Sequence, residues 1–179
     1  ANKRIEDLIE LVSKSTVPGQ AEMIFDARLR QGHIFRKLND FPAAQRAYEE
    51  IVNKYSRRPD VVVAQLALAE THNAQSTRED PSHADKAQLL FEQLRDRSDA
   101  PADVRIEAGY NLGKLLESRG KPDEAARVWF EDVVTPFLKD AAKPFEAGAK
   151  RPYWLARTLL DLGDLRIKRG QIDEGNAVY

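Results

Sequence analysis

The side chains of this sequence that could bind a metal or activate a substrate are histidines, carboxylates and hydroxyls. The three histidines, His33, His72 and His83, are scattered along the chain. His83 and Asp85 form the closest candidate pair of metal ligands, and both are expected at a solvated helix start. Because a zinc site needs about four converging ligands, the sequence predicts no metal site.

Hydroxyl and acidic side chains do not form a catalytic pattern. A serine or threonine nucleophile needs a neighbouring base and a group that orients the base. The hydroxyls fall instead at expected helix ends and turns, where capping is their ordinary role: Ser13, Ser15, Thr16, Ser76 and Thr77. Acidic pairs such as Glu49-Glu50 are typical of solvated faces. Since phosphate-binding glycine patterns are also absent, the sequence predicts no enzyme and no cofactor.

Composition narrows the classes of partner. A chain of 179 residues, 42% hydrophobic and 32% charged, fits one domain with a sizeable core. The net charge of −1, without a basic stripe, argues against a nucleic-acid partner. The absence of cysteine excludes disulfides and thiolate metal sites within this chain. No apolar run reaches the roughly 20 residues that span a bilayer, so no membrane insertion is expected.

The two ends of the sequence look cut. The chain begins at Ala1 without a signal-peptide pattern, and it stops at Tyr179 inside a helical pattern. We therefore expect an excised segment of a longer protein, and the sequence assigns no compartment.

The stretch LGKLLESRGKPDEAARVW, residues 112–129, has the pattern of two helices joined by a tight turn. Its leucines recur at i, i+3 and i+4, which is one face of a helix. Gly120 can end that helix in the left-handed conformation, and Pro122 suits the first turn of the next helix. A glycine inside a helix costs about 1 kcal/mol relative to alanine, so Gly113 indicates that a neighbouring backbone comes close.

The same order of small residue, turn, small residue and aromatic residue occurs four times. The copies align as Gly32, Ala44 and Tyr48; Ala69, Ala87 and Phe91; Gly113, Ala125 and Trp129; and Gly163, Gly175 and Tyr179. In the first, third and fourth copies the two small residues are 12 positions apart, which indicates an internal repeat. Because the aromatic residues recur at one place, they are predicted to be core. Tyr153 and Trp154 are likewise predicted to pack.

These copies resemble the tetratricopeptide repeat family, whose units are helix–turn–helix modules of about 34 residues. The residues that carry the resemblance are Leu112, Gly113, Leu116, Gly120, Ala125 and Trp129; Leu162, Gly163, Gly170 and Tyr179; and Gly32, Phe35, Ala44 and Tyr48. The resemblance covers residues 20–179. It implies an all-α fold, a right-handed α-solenoid of antiparallel helix–turn–helix repeats. The copies are irregular, because the first small residue recurs after 37, 44 and 50 positions.

The expected organisation has six parts. They are an amphipathic helix and turn at 1–19, a candidate half of a preceding repeat; repeat 1 at 20–58; repeat 2 at 59–98, with a turn insertion; repeat 3 at 99–134; a Pro-rich insertion at 135–151; and a truncated repeat 4 at 152–179. Pro136 is predicted to end or kink the helix that begins at Pro122. The Pro-rich insertion is interpreted as a connection that packs Phe137, Leu138 and Phe145 on the stack; a role in lining the binding surface is the alternative.

In the family that this chain resembles, the first helix of each pair lines a concave groove that holds peptides. The resemblance implies groove positions three before and one, four and five after the small residue. They are Leu29, His33, Arg36 and Lys37; Leu66, Glu70, Asn73 and Ala74; Tyr110, Lys114, Glu117 and Ser118; and Leu160, Asp164, Ile167 and Lys168. Tyr110 and Lys114 are the best candidates, since an aromatic residue beside a cation is a common hot-spot pairing. Solvated helix faces are the alternative.

The resulting functional hypothesis is a non-catalytic scaffold that binds a protein or peptide partner with apolar and charged side chains. Leu29 and Leu66 stand where a carboxylate clamp would need polar residues, so a chaperone tail is not the expected ligand. One alternative is a structural module that self-associates or stacks through its end helices. Another is a regulatory module of a larger multidomain protein.

Overall fold

The computed structural model describes residues 2–14, 18–136 and 151–171, and in these ranges it contains helices and turns but no strand. The helices are α1 (Asn2–Ser13), α2 (Gln20–Lys37), α3 (Phe41–Lys54), α4 (Val61–Gln75), α5 (Ser82–Asp96), α6 (Ala102–Ser118), α7 (Pro122–Trp129) and α8 (Arg151–Lys168), and a π-helical segment (Phe130–Val134) directly follows α7. The predicted all-α class of helix–turn–helix units is confirmed. None of the described helices combines the length and apolarity that a membrane span requires.

The chain divides into two compact units, residues 1–90 and 91–179, and the division falls within α5. Under the proposed repeat boundaries, repeat 1 contains α2 and α3, and repeat 2 contains α4 and α5. Repeat 3 contains α6, α7 and the π-helical segment. Repeat 4 is represented by α8, because Gly175 and Tyr179 lie outside the described residues. The apolar residues of the Pro-rich insertion, Phe137, Leu138 and Phe145, also lie outside them.

The turns after α2, α6 and α8 share one backbone geometry. Each contains a residue with positive φ seven positions after the small residue of its helix: Asn39 (φ 58°), Gly120 (φ 73°) and Gly170 (φ 76°). In each turn the next N–H donates to the carbonyl five residues earlier: Asp40 to Phe35 (2.9 Å), Lys121 to Leu116 (2.9 Å) and Gln171 to Arg166 (3.0 Å). This is the bonding of a Schellman turn, which satisfies helix carbonyls that would otherwise lack a donor. The predicted turns are therefore confirmed at these three places.

Two apolar clusters hold the helices of the unit 1–90 together. The helices α2, α3 and α4 pack together around a core that includes Phe25, Tyr48 and Ile51. The Asp40 carboxylate caps α3 by accepting a hydrogen bond from the Ala43 N–H at 3.1 Å. Helix α1 packs on α2 through a separate apolar cluster, Ile9, Val12 and Ile24.

Two helical glycines, Gly32 and Gly113, lie against aromatic rings. A Cβ placed on Gly32 would overlap the ring of Tyr48, and a Cβ on Gly113 would overlap the ring of Trp129. The sequence predicted that a neighbouring backbone approaches Gly113, whereas the group that approaches is the indole side chain. Without a side chain at Gly113, the indole reaches the helix surface and donates from Nε1 to the Tyr110 carbonyl at 3.0 Å.

In the unit 91–179, α6 packs against α7, the π-helical segment and α8. The helix that begins at Pro122 was expected to end or kink at Pro136. It departs from α-helical bonding earlier, at Phe130, and residues 135–136 are still helical. Proline cannot donate the backbone hydrogen bond that a continuing α-helix needs, and the wider π turn precedes it. A Cβ on Gly109 would lie 2.9 Å from the Asp132 Cβ, so α6 and the π-helical segment come close here.

Candidate functional site

In the unit 1–90, the predicted groove positions of two consecutive first helices meet. Arg36 on α2 and Glu70 on α4 form an ion pair, with Nη1 and Oε2 separated by 2.5 Å. Both side chains are partly exposed, at 30% and 24%. The pair therefore links α2 to α4 at a surface that is accessible to solvent.

Two titratable rings lie beside this ion pair. The Tyr48 ring is fully buried, and its centroid is 5.8 Å from that of the His33 ring. Burial raises the pKa of Tyr48 to about 12, against the opposing charge and hydrogen bond of Arg36. Partial burial and then the Arg36 charge lower the pKa of His33, although Glu70 opposes the shift. His33 is consequently less readily protonated than a histidine in water.

In the unit 91–179, four predicted positions join one network through Asp161 and Glu117. The Tyr110 hydroxyl donates to Asp161 Oδ2 at 2.7 Å. The Lys114 ammonium donates to Glu117 Oε2 at 2.7 Å and to Asp161 Oδ1 at 3.4 Å. The Lys168 ammonium donates to Glu117 Oε1 at 3.3 Å. Tyr110, Lys114 and Glu117 belong to α6 and the other two residues to α8, so the network joins these two first helices.

The pKa shifts in this network follow from its ion pairs. Burial acts to lower the pKa of Lys114, but its contacts with Glu117 and Asp161 outweigh burial and raise the pKa. Burial acts to raise the pKa of Glu117, but the Lys114 and Lys168 ammonium groups outweigh burial and lower the pKa. Both groups are therefore held in their charged forms at neutral pH.

Tyr110 lies inside an aromatic stack. Its side chain is only 5% exposed. The ring centroid lies 4.9 Å from that of Trp154 and 6.4 Å from that of Trp129. The Lys114 ammonium lies 5.5 Å from the centroid of the Trp129 ring, within the range of a cation–π contact. In this structure Tyr110 thus positions α6 against α8, and little of its ring is accessible to a partner.

The other predicted positions differ in accessibility. Leu66 is buried, with 7% exposed, and belongs to the core. Leu29 and Asn73 are partly exposed, and the exposed positions are His33, Lys37, Ala74, Ser118, Leu160, Asp164, Ile167 and Lys168. Leu160 and Ile167 are the large apolar side chains among these exposed positions, at 49% and 38%.

Exposed apolar residues on α8 extend beyond the predicted set. The predicted packing role of Trp154 is confirmed by its contact with Tyr110, whereas Tyr153 is 57% exposed. Tyr153, Leu160 and Ile167 are seven positions apart in succession, so they lie on nearly one side of the helix. We call these three residues the α8 apolar stripe. The seven-residue spacing of the stripe can be recognised in the sequence. The role of Asp161 cannot, because it depends on contacts with Tyr110 and Lys114 on another helix.

Two of the histidines form a contact that the sequence did not indicate. His72 Nδ1 and His83 Nδ1 are 3.0 Å apart, so one ring donates a hydrogen bond to the other. This contact joins the end of α4 to the start of α5, and the candidate pair His83 and Asp85 lies in the first turn of α5. Burial lowers the pKa of His72, and His83 and Lys86 act in the same direction. Within the described ranges, no three metal-ligating side chains come together.

Comparisons with known proteins agree with this architecture. A family model described as tetratricopeptide repeat matches residues 26–57, which cover most of α2 and all of α3. A search of curated proteins found no significant match. Among solved structures, the nearly identical TPR-like repeats assigned to a kinesin light chain of Podosopora anserina superpose with a TM-score of 0.65. The match has 16% sequence identity and covers 99% of this chain and 81% of that chain, so the likeness is one of fold.

Proposed function

We propose that this chain binds a peptide, or a segment of a partner protein, on its first helices. The tetratricopeptide repeat model that matches residues 26–57 and the fold shared with a solved repeat structure support the proposal. Repeats of this family generally mediate protein–protein interaction. The observation that carries the finer proposal is the surface of α6 and α8, where a hydrogen-bonded charge network adjoins exposed apolar side chains.

The α8 apolar stripe supplies the contact area. Tyr153 and Ile167 are 14 positions apart, which is about 21 Å along a helix at a rise of 1.5 Å per residue. An extended peptide advances about 3.3 Å per residue. A segment of about seven residues would therefore span the stripe, with apolar side chains on the Tyr153, Leu160 and Ile167 positions.

Charges beside the stripe define the rest of the ligand. Asp164 and Lys168 are exposed on the same helix, and Lys168 lies 3.3 Å from a Glu117 carboxylate oxygen. Lys114 and Asp161 already satisfy each other, so separating them would leave a partly buried charge unpaired at a cost in free energy. We infer that the partner carries apolar side chains with charges of both signs at their edges. The predicted role of Tyr110 and Lys114 as contacts to the partner stays a prediction. In the structure both side chains bond to Asp161 and so link α6 to α8.

A matched pair of surface substitutions tests this proposal. Peptides would be selected on the wild-type protein from a random library, labelled with a fluorophore and measured by anisotropy. Leu160→Glu places a charge in the stripe and should weaken binding by roughly 10-fold, equivalent to about 1.4 kcal/mol. Phe130→Glu is the control, because Phe130 is a similarly exposed apolar residue of the same unit, at 56% against 49%, but lies on the π-helical segment.

Three results would contradict the proposal. They are failure to enrich any peptide, an unchanged affinity in Leu160→Glu, and equal losses in the two variants. Circular dichroism of both variants would first establish that their helices are intact. The regulatory alternative concerns a catalytic domain outside this chain, and reading the complete parent frame would test it separately.

A further inference from the structure

Helices α1 and α2 leave an apolar surface uncovered in the unit 1–90. Helix α1 uses Ile9 and Val12 to pack on α2. Ile5 also packs against this cluster, whereas Leu8 and Leu11 are 47% and 69% exposed. On α2, Met23 is 48% exposed and lines the same groove as Leu8. This surface is distinct from the first-helix positions that carry the proposed peptide site.

The surface contains an open groove of about 250 Å³ between the two helices. Ile9, Val12 and Ile24 line it, and Met23 stands at its rim. Its volume is below the roughly 300–1,000 Å³ typical of small-molecule sites. The groove is therefore sized for side chains of a protein rather than for a cofactor or metabolite.

The charges at the groove can pair with the same charges of a second copy that is related by a two-fold rotation. Asp26 and Arg30 both line the groove, are exposed, and lie one turn apart on α2. Asp26 lies near the Arg58 guanidinium of its own chain, whose pKa it helps to raise after the larger effect of Asp60. When two copies of α2 cross antiparallel, the acid of each copy comes within one turn of the base of the other. Ala27, which also lines the groove, leaves room for the helices to approach.

We propose that this face forms a two-fold dimer of the chain, in which Met23 of each copy enters the groove of the other. A two-fold interface uses the same patch on both copies, so each residue contact occurs twice. The dimer covers Leu8 and Leu11, and it pairs Asp26 of each copy with Arg30 of the other. A second copy fits this patch because the patch carries both partners of each contact. Met23 fits the groove, and Asp26 fits Arg30.

Sedimentation velocity of the full chain over a wide concentration range tests the dimer. The wild type should pass from monomer to dimer as its concentration rises. Leu11→Glu should weaken the dimer by at least about 10-fold. Leu89→Glu is the control, because Leu89 is exposed at 55% but lies on α5.

A charge swap tests the two-fold arrangement with substitutions at exposed positions. Arg30→Asp should weaken the dimer, because two acids then face each other from opposite copies. The double variant Asp26→Arg/Arg30→Asp should restore the wild-type dissociation constant, because both pairs are re-formed with reversed polarity. A wild type that stays monomeric throughout, a Leu89→Glu loss equal to that of Leu11→Glu, or a double variant that fails to recover would each overturn the proposal.

Discussion

Burial of His72 gives the stability of the fold a pH dependence whose direction can be tested. Burial lowers the pKa of His72 below its ordinary value of 6.5, and His83 and Lys86 on α5 act with it, while Glu49 on α3 opposes them. The folded state therefore binds a proton at His72 less readily than the unfolded state does. This contribution to stability is present above the ordinary pKa and is lost as pH falls through and below it.

We predict that the free energy of unfolding falls between pH 7.5 and pH 5.5 in the wild type and falls less in His72→Gln. Urea unfolding followed by circular dichroism at the two pH values measures the difference. Some pH dependence should remain in the variant, because the pKa of His33 is lowered as well. An equal fall in both proteins would show that His72 is not the group responsible.

At the scale of elements, the glycine and aromatic residue of a repeat act as one packing unit. Gly113 makes room for the Trp129 indole, as Gly32 does for the Tyr48 ring. Gly113→Ala should destabilise the protein by about 2 kcal/mol, because the added methyl overlaps the buried ring. In a Trp129→Leu background the same substitution should stabilise by up to about 1 kcal/mol, since alanine favours helix over glycine once the ring is gone.

A double-mutant cycle by chemical unfolding measures this reversal. Trp129→Leu alone is expected to be destabilising, because it removes a fully buried side chain. The informative quantity is therefore the effect of Gly113→Ala in each background rather than the absolute stability of any variant. The same loss in both backgrounds would mean that the ring is not what keeps this position small.

Features within one helical hairpin could be predicted from the sequence. The turn residues Gly120 and Gly170, and the need for a small residue at Gly113, depend on residues that are close along the chain, although the group that approaches Gly113 is the Trp129 ring and not the predicted backbone. Asn39 takes the same left-handed conformation, as asparagine does more readily than most residues. Local backbone preference and helical periodicity are sufficient to indicate such features.

Contacts between hairpins could not be predicted in the same way. The Tyr110–Asp161 hydrogen bond and the burial of Tyr110 under Trp154 depend on how α8 sits on α6. Because the repeats recur at unequal intervals, position in the repeat does not fix that register. Some of the predicted groove charges are therefore paired with one another, as Arg36 is with Glu70. The α8 apolar stripe also includes an exposed residue outside the predicted set, Tyr153.

At the scale of the whole molecule, each unit presents a first-helix face with its own character. The face of α2 and α4 carries the Arg36–Glu70 ion pair beside exposed His33 and Lys37. The face of α6 and α8 combines a charge network with the α8 apolar stripe. Since burial of apolar area is the dominant favourable term in most protein association, we expect the second face to supply most of the affinity for a peptide.

The most direct test of this account is an amide chemical-shift titration of the isotopically labelled chain with a peptide selected on it. The account predicts that the largest perturbations lie on α6 and α8, around Leu160 and Ile167, with small changes on α3 and α7. Perturbations concentrated on α1 and the groove-lining side of α2, or on the outer helices α3 and α7, would contradict peptide binding by the first-helix face.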